Sequence, residues 1–221
     1  MRLTADGAVA PVQVALAAAA LLLAQPGRAA AAEQCPDAAL RPTPSNLARV
    51  EAAMVCVLNV ERKHAGRHPL DRARRLDRSA GRHTRDMVDE GYFSHQRDGG
   101  PTLLQRITKV DYFDGARSGL YGENLGYAPP ENAGARRMTD AFSVSDHHRR
   151  TMLYRRFRDV GIGTAYVDPD PAFYPDWPAV VFTLDFGRRY ERRRRCQTAQ
   201  HETDSGSATR PRRWCKRRRA A

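Results

Sequence analysis

Two histidines and one glutamate are the residues of this sequence best suited to chemistry. His95 follows two aromatic residues and precedes a polar loop, a context in which an imidazole can face a cleft. Glu123 lies in a glycine-rich stretch, where tight turns can bring a carboxylate close to an imidazole. His148 follows in a short predicted helix. Such groups together can orient a histidine, transfer a proton or bind a divalent cation.

Each candidate also has a purely structural interpretation. His95 can be a surface histidine in a loop, and Glu123 can be a turn residue that pairs with Arg106 or Arg117. His83, on the apolar stripe of a predicted helix, is better explained as a hydrogen-bonded histidine of the core. The sequence therefore predicts a polar site but does not identify a reaction.

Ser145 stands three residues before His148, so both would lie near one face of the predicted helix. A Ser-His catalytic pair is nevertheless disfavoured, because no Gly-x-Ser-x-Gly sequence surrounds the serine. Because Asp146 follows directly, we predict that Ser145 is a helix N-cap whose hydroxyl accepts a backbone N–H.

The elements that must position these residues are helices followed by strands. Helical periodicity follows a predicted N-cap at Ser45 and stops at Gly66. Further helices are predicted at about 74–90, 103–110, 133–142 and 146–156, and strands at 160–167 and 179–186. The Asp- and Pro-rich segment between the strands indicates an antiparallel hairpin. This order predicts an α+β domain with a small antiparallel sheet.

Four cysteines allow three pairings, and an even number in an exported chain favours disulfides over a metal site. We favour the local pairs Cys35 with Cys56 and Cys196 with Cys215, each closing a loop of about 20 residues. The alternative for Cys56 is a buried free thiol, since it lies in an apolar helix.

The first 32 residues follow the plan of a signal peptide. Arg2 precedes an apolar run at 11–24, and small residues lead to a cleavage site before Glu33. Because the run is short and no stop-transfer pattern follows, the mature chain is predicted to lack a transmembrane segment and to be secreted or at the cell surface. The alternative is an uncleaved membrane anchor. A Pro-rich lead-in at 33–44, a domain at 45–188 and a basic tail at 189–221 complete the predicted organisation.

The net charge of +12 is concentrated at the carboxyl end of the chain. Residues 188–221 contain 13 Arg and Lys against 3 Asp and Glu, which leaves only +2 for residues 1–187. Its like-charge blocks predict a largely disordered tail. A nucleic-acid partner is disfavoured, because only Tyr190 and Trp214 interleave with the cations as stacking groups. The charge instead fits an anionic cell-envelope surface.

The order of several short motifs resembles the bacterial branch of the CAP superfamily, which comprises cysteine-rich secretory proteins, antigen 5 and pathogenesis-related proteins. The motifs are Leu58–Arg62, Pro69-Leu70, Gly91-Tyr92-Phe93-Ser94-His95, Gly122-Glu123-Asn124-Leu125, Ser145–Leu153, Gly161-Ile162-Gly163 and Thr183-Leu184-Asp185-Phe186-Gly187. The resemblance covers roughly residues 50–187 and rests on the whole series, since no single motif is specific. The chain departs from the family at Phe142 and Leu184, where bacterial members usually have tryptophan and glutamine.

The resemblance implies a three-layer α-β-α sandwich with a cleft lined by His95, Glu123 and His148. Animal and plant members also have a second cleft glutamate, and in this chain Ser145 or a residue beside it lies at that place in the cleft. The resemblance also implies sterols or other lipids as ligands, or a divalent ion such as zinc held by the two histidines and Glu123. No cofactor is assigned from the residues themselves. We interpret the cleft as a binding site rather than an enzyme, because fold resemblance alone licenses no activity.

Two other functions stay open at this point. A metal-assisted hydrolase or protease would use Glu123 as its general base. An envelope adhesion module would use the domain as a scaffold and the Arg-rich tail as the binding element.

Overall fold

The computed structural model describes residues 35–191, which form helices and a four-stranded sheet. The helices are α1 (Leu47–His64), α2 (Arg74–Asp89), α3 (Leu103–Lys109), α4 (Ala135–Val144) and α5 (Asp146–Met152), with a 3-10 turn at Pro130–Asn132. The strands are β1 (Asp71–Arg72), β2 (Ala116–Ala128), β3 (Asp159–Val167) and β4 (Ala179–Glu191). None of the helices in this part of the chain is long and apolar enough to cross a membrane.

The four strands form one sheet in the order β1-β3-β4-β2. Strands β3 and β4 form the antiparallel hairpin expected from the sequence, with Ile162 opposite Leu184. Strand β2 runs antiparallel to β4 on its other side, whereas the two-residue β1 is parallel to β3. The sheet is therefore mixed, and β2 forms one of its edges.

Alternation along β4 separates the two layers of helices. One face of the strand carries Phe182, Leu184 and Phe186, which pack in a single core with Met54 of α1 and Phe142 of α4. Residues of the opposite face meet α2, where Thr84 Oγ1 donates a hydrogen bond of 2.8 Å to Thr183 Oγ1. Helices thus cover both faces, and the α-β-α sandwich expected from the sequence is confirmed.

Two glycines of β3 allow α2 to lie directly against the sheet. A Cβ atom built at Gly161 would come within 2.1 Å of the Leu76 backbone, and one at Gly163 within 2.3 Å of the Gly81 backbone. Because backbone atoms cannot give way, this close approach of helix and strand requires glycine at both positions. The position of α2 is relevant to the site, because this helix borders it.

No pattern in the sequence indicated β2, whose glycine content suggested turns. Glycine weakens strand propensity, so the pattern-based prediction of a turn around Glu123 was wrong. In the structure, Gly122 makes room for the Phe157 ring and Gly126 for the Phe142 ring. Tertiary packing against aromatic side chains, rather than turn geometry, explains these two glycines.

Several element ends also differ from the expectation. Helix α1 starts after Asn46, not Ser45, and no side chain caps it. Helix α5 stops at Met152, and buried Arg62 donates a 2.6 Å hydrogen bond to the Met152 carbonyl at that end. Strand β4 continues to Glu191, past the predicted domain end at 188.

The predicted disulfide between Cys35 and Cys56 is present, with Cα atoms 5.7 Å apart and a sequence separation of 21. It ties the lead-in segment to α1, and it excludes the free-thiol alternative for Cys56. Cys196 and Cys215, with the predicted signal peptide and most of the basic tail, lie outside the described residues.

Candidate functional site

Glu123 holds the centre of the site, in the middle of β2. Its Oε1 lies 2.7 Å from Nδ1 of His95, and Arg106 of α3 forms an ion pair with Oε2. The Glu123 side chain is only 2 % exposed, whereas that of His95 is 56 % exposed. The structure therefore brings together His95, Glu123 and Arg106. The sequence analysis considered Arg106 only in the structural interpretation of Glu123, as the partner of an ion pair.

The buried Glu123 carboxylate is ionised. Burial opposes its charge, but the hydrogen bond from His95 and the charge of Arg106 outweigh burial and lower its pKa. An ionised carboxylate can only accept hydrogen bonds, so Nδ1–H of His95 is the donor in this contact. In the neutral imidazole, Nε2 is then left as an acceptor.

Arg106 also fixes the loop that carries His95. Its NH1 group donates to the His95 carbonyl at 2.8 Å and to the Pro101 carbonyl at 3.3 Å. At the other end of the loop, His83 donates Nε2–H to the Ser94 carbonyl at 3.0 Å. His83 is 2 % exposed, which confirms its prediction as a core histidine, and burial lowers its pKa.

His148 approaches the site from the opposite side of the β2 edge. Asn124, the neighbour of Glu123 on β2, donates to the His148 carbonyl at 3.0 Å. Burial, followed by the charges of His147 and His95, lowers the pKa of His148. His148 is therefore neutral at pH 7.

A cavity of about 520 Å³ adjoins His148. Its walls come from β2 and α4 and include Leu125, Tyr127, Met138 and Phe142. The Phe142 ring packs edge-on against His148, with centroids 5.2 Å apart. The cavity is more apolar than polar at its walls, and its polar groups include the His148 imidazole and the side chains of Asn132, Arg137 and Asp140.

Ser145 occupies the N-cap position of α5, but its side chain makes no cap hydrogen bond, so the predicted role of its hydroxyl is wrong. The residue is also the C-cap of α4, and it is the only residue between the two helices. Its backbone carbonyl accepts the first hydrogen bond of α5, from Arg149 N at 2.8 Å. Backbone geometry at this junction, not a side-chain cap, sets the start of α5.

Asp185 is a buried residue of the site that sequence reasoning missed. It pairs with Glu123 across strands β4 and β2, and it is fully buried. Burial and then the neighbouring charge of Glu123 raise its pKa well above the ordinary value, so Asp185 is a neutral acid beside an ionised one. A single charged residue in the apolar run Val180–Phe186 was the sequence signal that would have found it.

The expected three-ligand metal site does not fit this geometry. Both oxygens of Glu123 already accept hydrogen bonds, one from His95 and one from Arg106. Among residues 35–191 no group of three His, Cys, Asp or Glu side chains is arranged to hold a metal ion. A cation at Glu123 would also meet the positive charge of Arg106, which disfavours its binding.

Comparison with known proteins identifies the family. Residues 55–186, more than half of the chain, match the family described as "CAP: Cysteine-rich secretory protein family". The fold and the order of the motifs agree with that match. The chain belongs to this family.

Individual relatives are distant. The chain is 30 % identical over 124 residues to the uncharacterized protein YkwD of Bacillus subtilis strain 168, a match that covers 54 % of this chain and 44 % of YkwD. A crystal structure of an extracellular protein containing a SCP domain from Bacillus anthracis shares 22 % identity with a TM-score of 0.51. That alignment covers 67 % of this chain and 44 % of the anthracis chain. An outer surface protein from Borrelia burgdorferi gives 19 % identity and a TM-score of 0.48, covering 62 % of this chain and 90 % of the Borrelia chain. The chain thus spans less than half the length of YkwD, and the likeness to the anthracis structure shows the fold alone.

Proposed function

We propose that this chain is an exported cell-envelope protein whose cleft binds a small amphipathic ligand without transforming it. The observation that carries the proposal is the largely apolar cavity of about 520 Å³ beside His148, at the edge strand that also carries Glu123, the hydrogen-bond partner of His95. An apolar ligand body would occupy the cavity. Its polar head would meet the imidazoles of His95 and His148.

Export is supported by the signal-peptide plan of residues 1–32 and by the disulfide between Cys35 and Cys56. The solved relative from Bacillus anthracis is described as an extracellular protein. A secreted or surface location follows as part of the proposal, and the Arg-rich tail would add attraction to an anionic envelope.

Hydrolysis with Glu123 as general base is less compatible with the site. A general base works best with a pKa near the operating pH, whereas the pKa of Glu123 is lowered by His95 and Arg106. Its side chain is also only 2 % exposed and lies against Arg106, so a substrate water has little access to the carboxylate. The same burial beside a cation favours a lipid-like ligand over a divalent ion.

The test uses the purified mature chain with a fluorescent fatty acid as the probe. His148→Ala removes the imidazole beside the cavity, and we expect at least a roughly tenfold loss of affinity, about 1.4 kcal/mol. His147→Ala is the matched control, since this exposed neighbour lies on the same helix but does not line the cavity. Equal affinities for the two variants would contradict the proposal.

Native mass spectrometry with elemental analysis separates the alternatives in one sample. A co-purified lipid supports the proposed function. A stoichiometric divalent ion that is present in the native chain and absent from His148→Ala would contradict the proposed function and indicate metal binding. Because the pKa of His148 is lowered, binding that needs its neutral form should persist at pH 6.5 and fail only at lower pH.

A further inference from the structure

A second cavity, of about 170 Å³, lies between α2 and α3 and shares no residue with the wall of the larger one. Its lining consists of Ser79, Arg82, His83, Asp86, Pro101, Arg106 and Lys109. A neighbouring depression of about 370 Å³ shares Pro101, Arg106 and Lys109 with it, so the cavity continues toward the surface. Nothing in the proposed function uses this space.

The lining carries more positive than negative charge. Arg82, Arg106 and Lys109 supply three cations, and Asp86 supplies the single carboxylate. That carboxylate accepts a 2.5 Å hydrogen bond from the Tyr92 hydroxyl and lies 4.0 Å from the Arg97 guanidinium. Asp86 therefore has its own partners.

The acidic residues behind the cavity cancel only part of this charge. Glu123 forms an ion pair with Arg106 and offsets that one cation, and Asp185 is neutral because burial raises its pKa. Arg82 and Lys109 have exposed side chains and remain as cations at the rim. A small anion would thus find a positive local field at the entrance.

One buried donor of the lining lacks a hydrogen-bond partner. Within the described residues, Arg106 Nε has no partner of ordinary geometry, although the residue is only 7 % exposed. The buried Ser79 hydroxyl lies close enough to the Asp185 carboxyl to influence its pKa, so Asp185 is its neighbour on the protein side. Buried polar groups are nearly always paired in folded proteins, so the unpaired Arg106 Nε–H calls for an acceptor. Arg106 NH1 and NH2 are already committed to the loop carbonyls and to Glu123, which leaves Nε available.

We infer that this cavity is a binding site for a small oxyanion of the phosphate type, independent of the cleft beside His148. The Arg106 Nε–H would donate to the anion, and Arg82 and Lys109 would neutralise it from the rim. Charged donors of this kind form the stronger hydrogen bonds to phosphate oxygens. The ligand is either the free ion or a phosphomonoester group of a larger molecule.

Titration calorimetry of the mature full-length chain with inorganic phosphate, in chloride buffer at constant ionic strength, tests the site. The double variant Arg82→Gln/Lys109→Gln should bind phosphate at least about tenfold more weakly than the native chain. The matched control Lys63→Gln/Arg74→Gln removes the same charge from exposed positions outside the cavity and should stay within about twofold.

A second measurement locates the anion. In ¹⁵N-labelled protein, phosphate should shift the Arg106 Nε–H resonance and leave that of Arg62 unchanged, because Arg62 Nε already donates to the His68 carbonyl at 2.9 Å. His148→Ala should leave phosphate affinity unchanged, so failure of this site and failure of the cleft are separable. Glycerol 3-phosphate binding as tightly as phosphate would identify a phosphomonoester as the ligand. Weaker binding would identify the free ion.

Three results would overturn the inference. One is an absence of saturable phosphate binding to the native chain. Another is an equal loss of affinity in the two charge variants, which would show a general effect of net charge. The third is an equal shift of the Arg62 and Arg106 resonances, which would show binding elsewhere.

Discussion

Arg62 and Arg106 are both buried arginines, but their guanidinium groups have different hydrogen-bond acceptors. Arg62, fully buried on α1, donates to the carbonyls of His68, Met152, Tyr154 and Phe157 at 2.6–3.4 Å. Burial, with the charges of Arg158 and Arg67, lowers its pKa to about 10, so it stays protonated at neutral pH. Arg106 instead pairs with the Glu123 side chain and retains an unpaired Nε.

The difference separates a structural region from a functional one. Backbone carbonyls at the end of α5 need a donor once they are buried, so Arg62 holds that turn in one conformation. A carboxylate and an unpaired donor leave the Arg106 region able to exchange partners or to accept a ligand. In this chain, the buried arginine whose side chain donates only to backbone carbonyls among the described residues marks a stabilising region. The one that also pairs with a buried carboxylate marks the candidate site.

The largest expected effect is that of Arg62→Met. Methionine fills similar space but donates no hydrogen bond, so buried carbonyls are orphaned at about 1–3 kcal/mol each. We expect a loss of about 4 kcal/mol in the free energy of unfolding, measured by urea denaturation. Arg67→Met is the control, since Arg67 is exposed and, among the described residues, its side chain donates only to the Leu153 carbonyl. A loss in the free energy of unfolding below about 1 kcal/mol for Arg62→Met would contradict the stabilising role of Arg62.

Arg106→Met comes second, at about 3 kcal/mol, because it leaves the Glu123 charge buried without its cation. Adding Glu123→Gln should recover part of that loss, since the uncompensated charge is then gone. A double-mutant cycle in urea measures this coupling. Strictly additive losses would mean that the ion pair is unimportant in the native state.

The effect of Arg106→Met should also depend on pH. The pKa of Glu123 is lowered in the folded chain, so the stability from its pairing is complete above its ordinary value of 4.5 and is lost as pH falls through the folded pKa. The variant should therefore differ most from the native chain at neutral pH and least in acid. Denaturation at pH 3 and pH 7 tests this sign.

The smallest effect is expected for Asp185→Asn, which keeps the shape of a neutral acid. Because the folded pKa of Asp185 is raised, the native chain loses stability as pH rises from its ordinary value of 3.8 toward the folded pKa. Asparagine does not titrate, so the stability of the variant relative to the native chain should increase between pH 4 and pH 7. Thermal unfolding across that range provides the measurement. If the variant instead becomes less stable relative to the native chain as pH rises, Asp185 is ionised in the folded chain.

Much of the fold could be predicted from local patterns. The helical stripes of α1 and α2 and the hairpin of β3 and β4 were predicted within a few residues, because periodicity of apolar residues reports directly on the buried face. The local pairing of Cys35 with Cys56 was also predicted. Strand β2 was not, because its glycines fit the Phe157 and Phe142 rings, and those contacts join segments far apart in sequence.

For the site, the sequence by itself determined which residue types were present and that His95, Glu123 and His148 were the candidates. Only the tertiary structure decided their hydrogen-bond partners and their protonation states. Pairing of β2 with β4 placed Asp185 opposite Glu123, and α3 brought Arg106 to the same carboxylate. Desolvation and neighbouring charge then fixed one carboxyl as ionised and the other as neutral. Both quantities depend on distances across the fold, and residue order along the chain does not contain them.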